Sequence, residues 1–309
     1  MFNLFQRTSS HWVKYSEYII KEARDGHRYI RPSAKGKAIV YDPLKDTEAL
    51  VVDALNVGLL HMSSSKQAMA EAATLEFVHK YGLLGIVTAL PTTPTFMDYD
   101  MAYLPKNQFI KADAMPKKEY ATLFFPFYRP EYLMGEDEPH YQAGIIDRDA
   151  LALAFTFSDK PRGMTMSFEL AYAERYDWLA LQFKDWAFIF LSSIFYYDEK
   201  SNEKARNLYR SSMAAFGGAT PTYRVDLQDK PTIIWDFHSL LLGIQMMFSF
   251  AITDEAKPLR LCRHCDKVFI ARHPNAAFCT PQCKNQHNVY KSRAKKAEGG
   301  GEHQQGKMG

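Results

Sequence analysis

Four cysteines, Cys262, Cys265, Cys279 and Cys283, fall within one window of 22 residues, and the other 287 residues contain none. Nothing else in the chain constrains its folding as strongly. A disulfide scaffold spreads its cysteines through a small secreted chain. Here 309 residues carry their thiols crowded near one end. The start, Met1-Phe2-Asn3-Leu4-Phe5-Gln6-Arg7, has no long apolar stretch after a basic one, so no secretory signal is read there. The expectation is a reducing, cytoplasmic setting and a metal site.

The spacing is Cys262-x2-Cys265, thirteen residues, then Cys279-x3-Cys283. Zinc accepts four thiolates tetrahedrally, and a Cys-x2-Cys turn places two sulfurs on one side of the ion. The intervening residues suffice for a short hairpin. Val268-Phe269-Ile270 is expected as one strand, His273-Pro274-Asn275 as the turn, and Ala277-Phe278 as the return, with Phe269 and Phe278 forming a small core. Cys279 and Cys283 are four apart and can face one ion from the start of a helix. Thr280 is its expected cap and Pro281 its first residue. Four thiolates close the coordination sphere, so the one Zn2+ is expected to be structural and His264 and His273 to lie at the surface.

Lys-Val-Phe between the pairs, Phe-Cys-Thr-Pro-Gln-Cys-Lys-Asn-Gln at 278–286 and Tyr-Lys-Ser-Arg at 290–293 together resemble the CGNR-type zinc finger. The match covers about 260–296. Where the family writes Cys-Gly-Asn-Arg, this chain has Cys283-Lys284-Asn285-Gln286. The resemblance implies a C-terminal finger after a mainly helical domain, in a bacterial DNA-binding transcriptional regulator. It carries the four cysteines over as zinc ligands.

Charge supports a polyanionic partner. From Lys257 onward, 11 Lys and Arg face three acids, whereas the first 256 residues carry 27 basic and 32 acidic side chains. A mildly acidic body with a basic end points to nucleic acid. A helix from Pro281 would align Lys284, His287 or Asn288, Lys291 and Lys295 along one stripe, with Asn285, Arg293 and Lys296 nearby. Lysine and arginine neutralise phosphates, and asparagine can read adenine edges. Arg263, Lys267 and Arg272 can add backbone contacts. The alternatives are a protein-interaction module or homo-oligomer with a purely structural finger, and an enzyme in the body.

The body has material for a packed core, with 47% apolar and 14% aromatic residues. The fold class expected is mainly α with small β elements, a helical domain at 1–256 and a treble-clef-like finger at 257–297. The Gly/Gln-rich end, 298–309, reads as a disordered tail. Strands are expected at Arg28–Pro32 and Lys37–Tyr41, and a helix after Asp42-Pro43, capped by Asp42. A second helix should run from Lys66 to Tyr81, capped by Ser65 and ending at Gly82. Further helices are read at 167–197, 202–216 and 233–252, the last with Phe237, Leu241, Ile244 and Phe248 on one face. A short extended piece is read at Tyr223–Leu227, and loops with short elements at 91–148.

No membrane span is expected. The apolar run Trp186–Tyr197 is too short, and Thr232–Thr253 contains Asp236, His238 and Gln245. Nor does any catalytic pattern hold. Gly301-x4-Gly306-Lys307 lacks the hydroxyl residue of a phosphate loop, and no Gly-x-Ser-x-Gly elbow appears. The acidic run Glu136–Glu138 beside His140 reads as a solvated loop, and Asp236 and His238 as satisfied polar groups of a core helix. The chain is therefore not expected to be an enzyme.

Overall fold

β-Branched and aromatic residues in short alternating runs build the strands near the start of the chain. The computed structural model describes residues 12–90, 101–104, 106–127, 170–198, 202–217, 222–227, 229–237, 239–273 and 275–299. Strand β1 (Trp12–Tyr15) pairs antiparallel with β4 (Ala38–Tyr41), Trp12 opposite Tyr41. Strand β2 (Tyr18–Glu22) turns through Gly26 into β3 (Arg28–Pro32), and β3 pairs on its other side with β7 (Glu174–Arg175). β5 (Met101–Tyr103) and β6 (Ala114–Pro116) form another antiparallel pair. About half of the described residues are helical, and every described sheet is small and antiparallel.

The chain falls into two compact units, Met1–Phe248 and Ser249–Gly309. In the first, helices α1 (Thr47–His61) and α2 (Gln67–Tyr81) pack together, and α1 also packs on the long α5 (Tyr176–Asp198). Gly58 permits the closest approach. A methyl there would stand 2.0 Å from the Phe183 carbonyl oxygen of α5, so no other residue fits. Phe77, Phe183 and Trp186 fill the interface edge to face, with ring centroids 4.9 and 5.7 Å apart. The short helices α3 (Ile86–Ala89) and α4 (Lys117–Thr122) flank a second aromatic group of Tyr120, Phe124, Tyr172 and Trp178.

One buried charge organises this unit. The carboxylate of Glu174 on β7 is fully buried and accepts the Leu84 and Ile86 backbone N–H groups, each at 2.8 Å, and the Tyr172 hydroxyl at 2.6 Å. It thereby ties β7 to the loop that follows α2. Gly82, at φ 82°, closes α2 in the left-handed region as the sequence suggests.

Several local expectations are corrected. Asp42 does not cap α1; a 3-10 turn spans Pro43–Asp46, and the Asp46 carboxylate accepts the Ala49 N–H. Ser65 lies inside a second 3-10 turn, Ser64–Lys66, its hydroxyl paired with that of Ser63. The helix read over 167–197 is interrupted: residues 170–171 are helical, β7 occupies Glu174–Arg175 and α5 begins at Tyr176, while 167–169 lie outside the described residues. The helix read over 233–252 is two elements. Pro231–Asp236 is a strand, β9, paired with β8 (Thr222–Leu227), and helix α7 runs Leu240–Thr253. Thr232, Ile233 and Ile234 are β-branched and favour the strand. The helical spacing of Leu241, Ile244 and Phe248 is real, but it starts after Ser239. Helix α6 (Glu203–Ala215), capped by Asn202, and the piece at 222–227 lie where expected.

Asp236 consequently sits on a strand. His238, the run Glu136–His140 and the segment Gly301–Lys307 lie outside the described residues. Among the described residues, no helix is long and apolar enough to cross a membrane.

Candidate metal centre

The second unit builds its site on a hairpin whose turn is the first cysteine pair. Strands β10 (Leu259–Leu261) and β11 (Val268–Ile270) pair antiparallel, and Cys262 follows β10 directly. The Cys262 N–H donates to the Lys267 carbonyl at 2.9 Å, and the Asp266 N–H to the Cys262 carbonyl at 3.0 Å. This reversal needs a left-handed residue, and Asp266 supplies it at φ 55°. A short polar side chain tolerates that conformation better than most. The hairpin differs from the expected one: Val268–Ile270 pairs with the strand before the first cysteine, while Ala277-Phe278 is not a strand. Ala277 instead accepts the Arg263 N–H at 3.0 Å, which brings the chain back over the turn.

Helix α8 (Pro281–Gly299) supplies the last cysteine. The Thr280 hydroxyl accepts the Cys283 N–H at 3.1 Å, so Thr280 caps the helix and Pro281 opens it, as the sequence predicts. Among the described residues of the finger, Leu259, Cys262, Val268 and Ala271 are buried. Phe269 and Phe278 are only half-buried and do not form its core; Phe278 lies against His287, with centroids 5.1 Å apart.

All four sulfurs lie within 4.8 Å of one another, with Cys265 and Cys279 3.7 Å apart and Cys279 and Cys283 3.5 Å apart. Such separations are too long for a disulfide at about 2.05 Å. They match tetrahedral thiolates about 2.3 Å from one ion, whose mutual spacing is about 3.8 Å. The group can therefore hold a metal ion.

Electrostatics favours the same conclusion. Burial pushes the Cys262 thiol up, but backbone N–H groups of Cys279, His264 and Cys265 point at its sulfur and bring it down to about 6. The Cys279 N–H reaches that sulfur at 3.4 Å. Cys279 is pushed up to about 12, first by burial and then by the thiols of Cys283, Cys262 and Cys265, and Cys265 is raised chiefly by burial. One thiolate is thus prepared by the backbone, while burial favours the protonated form of Cys265 and Cys279. A cation in the centre reverses that balance, because it stabilises each added negative sulfur.

His264 is a half-buried part of the finger rather than a surface residue. Its Nε2 pairs with Gln286 Oε1 at 2.8 Å, and its ring stacks on Tyr290 at 5.6 Å and 24°. His273 is exposed. The residue types of the latch are legible in the sequence; their contact is not, since it forms only when α8 folds back on the turn.

Among the residues read as contacting nucleic acid, Lys284, Asn285, Asn288, Lys291 and Arg293 are exposed on α8. His287 is half-buried against Phe278 and so faces the finger. Lys295 and Lys296 lie on the same helix, with side chains outside those described. Arg263, Lys267 and Arg272 are exposed around the hairpin.

In the first unit, Trp12, Val13, Tyr15, Tyr18, Pro32, Leu83 and Tyr172 line a cavity of about 20 Å³, room for a water rather than a substrate. No family model matches the chain, and no curated protein or solved structure matches it either.

Proposed function

We propose that the second unit is a treble-clef-like finger holding one structural Zn2+ through Cys262, Cys265, Cys279 and Cys283, and that it docks the chain on DNA as a bacterial transcriptional regulator resembling the CGNR type. The observation that carries this reading is the coupling of the site to a basic helix. Cys283 sits in the first turn of α8, and the same helix exposes Lys284, Lys291 and Arg293. Fixing the metal fixes the start of the helix, and hence where its cations stand. The zinc is closed to substrate by four thiolates and does not activate water. Catalysis is not part of the proposal.

Binding of the zinc-quantified full chain to random duplex DNA at two salt concentrations tests it. One zinc per chain and an affinity that falls steeply with salt are expected, because each neutralised phosphate releases counterions. Zinc without measurable DNA affinity would sink the regulator.

A second reading, a protein-interaction module or homo-oligomer, draws on the β8–β9 hairpin. Val225, Leu227 and Ile233 there are 62%, 79% and 50% exposed, and Val225 stands opposite Ile233. Sedimentation of the chain with and without zinc separates this reading, since a dimer lacking DNA affinity would favour it.

A further inference from the structure

The faces of α8 are not equivalent, and their division says what kind of DNA the finger selects; the inference rests on the DNA-binding reading above. Each residue of an α-helix turns the side chain by about 100°. Cys283, Gln286, His287 and Tyr290 therefore share one side. Their contacts confirm that this side faces the finger: Cys283 with the other sulfurs, Gln286 and Tyr290 with His264, His287 with Phe278. A helix held this way commits the Gln286 amide oxygen and the His287 ring to the finger.

The opposite side carries Asn285, Asn288 and Ser292, with Val289 next to Asn285, and all four are exposed. Val289 is 47% exposed, an apolar side chain in a row of polar ones. Lys284 and Lys291 border this strip on one edge. Arg293 borders it on the other, beyond Val289. A short strip of amide and methyl groups between two rows of cations has the form of a helix in a major groove. Cations on both edges reach the two phosphate backbones, and the strip between them meets base edges.

The chemistry of the strip is selective. Asparagine matches the N7 acceptor and N6 donor of adenine in a bidentate pair, and an apolar side chain packs on the thymine methyl. Between Asn285 and Arg293 no described arginine or lysine side chain lies within the strip; Lys296 returns to the same side of α8 seven residues beyond Val289, about 10 Å further along the axis. We propose that Asn285, Asn288 and Val289 read A·T base pairs in the major groove, with Lys284, Lys291 and Arg293 on the flanking phosphates and the His264–Gln286–Tyr290 latch setting the angle of the helix.

The test is selection of bound sequences from a random duplex library by the zinc-loaded full chain, followed by affinities for the selected site and for a G·C-substituted version. An A·T-containing site preferred about tenfold is expected. Asn288→Ala, and Asn285→Ala with it, should abolish that preference while zinc content stays unchanged. Asn288→Arg should move the preference toward G·C. Lys291→Ala should weaken all sequences alike and reduce the salt slope by about one. If the chain binds DNA and Asn288→Ala with Asn285→Ala keep the same preference, the strip assignment is overturned and the DNA-binding reading stands. If the zinc-loaded chain binds no duplex at all, both fall together.

Discussion

The two units solve the burial of polar atoms in opposite ways. The first buries a carboxylate, Glu174, and satisfies it from within, by two backbone N–H groups and a tyrosine hydroxyl. The same unit buries large side chains with no exposure to speak of: Trp186, Tyr29, Tyr120, Phe124, Phe183 and Phe190. Among its described residues the second buries only Leu259, Val268, Ala271 and Cys262, and its polar centre is four sulfurs that the backbone satisfies in part. Apolar burial at about 25 cal/mol per Å² sustains the first unit. So few small buried residues cannot sustain the second, and the shortfall has to be met at the sulfurs. What separates the units is therefore the source of their stability, and each prediction below acts on one source.

Metal removal should have the largest effect. Structural zinc contributes about 10–16 kcal/mol of binding free energy that is also folding free energy. Chelation, or Cys279→Ser, should unfold the finger and leave the body folded. The tryptophans make this easy to read. All four, Trp12, Trp178, Trp186 and Trp235, lie before Phe248. Their fluorescence should hold while amides between Leu259 and Gly299 lose exchange protection. A parallel loss of tryptophan signal would mean that the units share a core. Acid should act on the finger in the same direction, since protons compete with the metal for every thiolate, and affinity falls as pH falls.

Truncating the body's core comes next. Phe183 packs on Phe77 and Trp186, and its backbone carbonyl lies under Gly58. Phe183→Ala should destabilise the first unit by about 3–5 kcal/mol. Zinc stoichiometry should stay at one. Thermal melts followed by tryptophan fluorescence, with metal analysis of the same samples, check both halves of the statement.

Glu174 sets a smaller effect with a distinctive pH dependence. Burial raises its carboxyl above the ordinary glutamate value, and the Tyr172, Ile86 and Leu84 donors pull it partly back. A group whose folded pKa is raised binds its proton more tightly folded than unfolded. Its contribution therefore favours the fold at low pH and is lost as pH rises from the ordinary value through the raised one. Acid thus relieves the body at this residue while it dismantles the finger. Glu174→Gln should remove that pH slope. It should also cost about 1–3 kcal/mol, because the new amide N–H faces N–H donors. An unchanged slope in the variant would show that Glu174 does not titrate in the fold.

The sequence exposes these two strategies unequally. The finger is local: its four cysteines, the Thr280 cap and Pro281 can all be read within 22 residues, because each acts on its near neighbours. Its errors were of pairing, since Leu259–Leu261 is a three-residue strand that shows no periodicity before Val268–Ile270 is set against it. In the body the decisive contacts are distant. Glu174 meets Leu84 across 90 positions, and nothing around Glu174 in the chain marks it as buried. Helical spacing placed α2 and α6 well. It also absorbed β9, because Ile233 and Phe237 are spaced alike on a helix whatever their backbone does. The turn at Asp229-Lys230 and the β-branched run after it were the available signals.

Helix caps offer the finest comparison, because the same chemistry occurs in both units. Asp46 accepts the Ala49 N–H at 3.1 Å at the start of α1, Asn202 accepts the Ala205 N–H at 3.0 Å at the start of α6, and Thr280 accepts the Cys283 N–H at 3.1 Å at the start of α8. Replacing any of them with alanine should cost about 1 kcal/mol of local stability. The consequences should differ. In the body, Asp46→Ala lowers the melting temperature and nothing else, since α1 is held by its packing on α2 and α5. At Thr280 the bonded N–H belongs to Cys283, one of the four cysteines that could hold a metal ion. Losing the cap frees the backbone that aims the Cys283 sulfur, and outer contacts of this kind are worth about 10–100-fold in metal affinity. Thr280→Ala should therefore weaken zinc about tenfold in a competition with a chelator, and Thr280→Ser should restore it. Equal zinc affinity in Thr280→Ala and the parent chain would mean that the hairpin and the sulfurs alone position the ion, and that the cap serves the helix in the finger just as it does in the body.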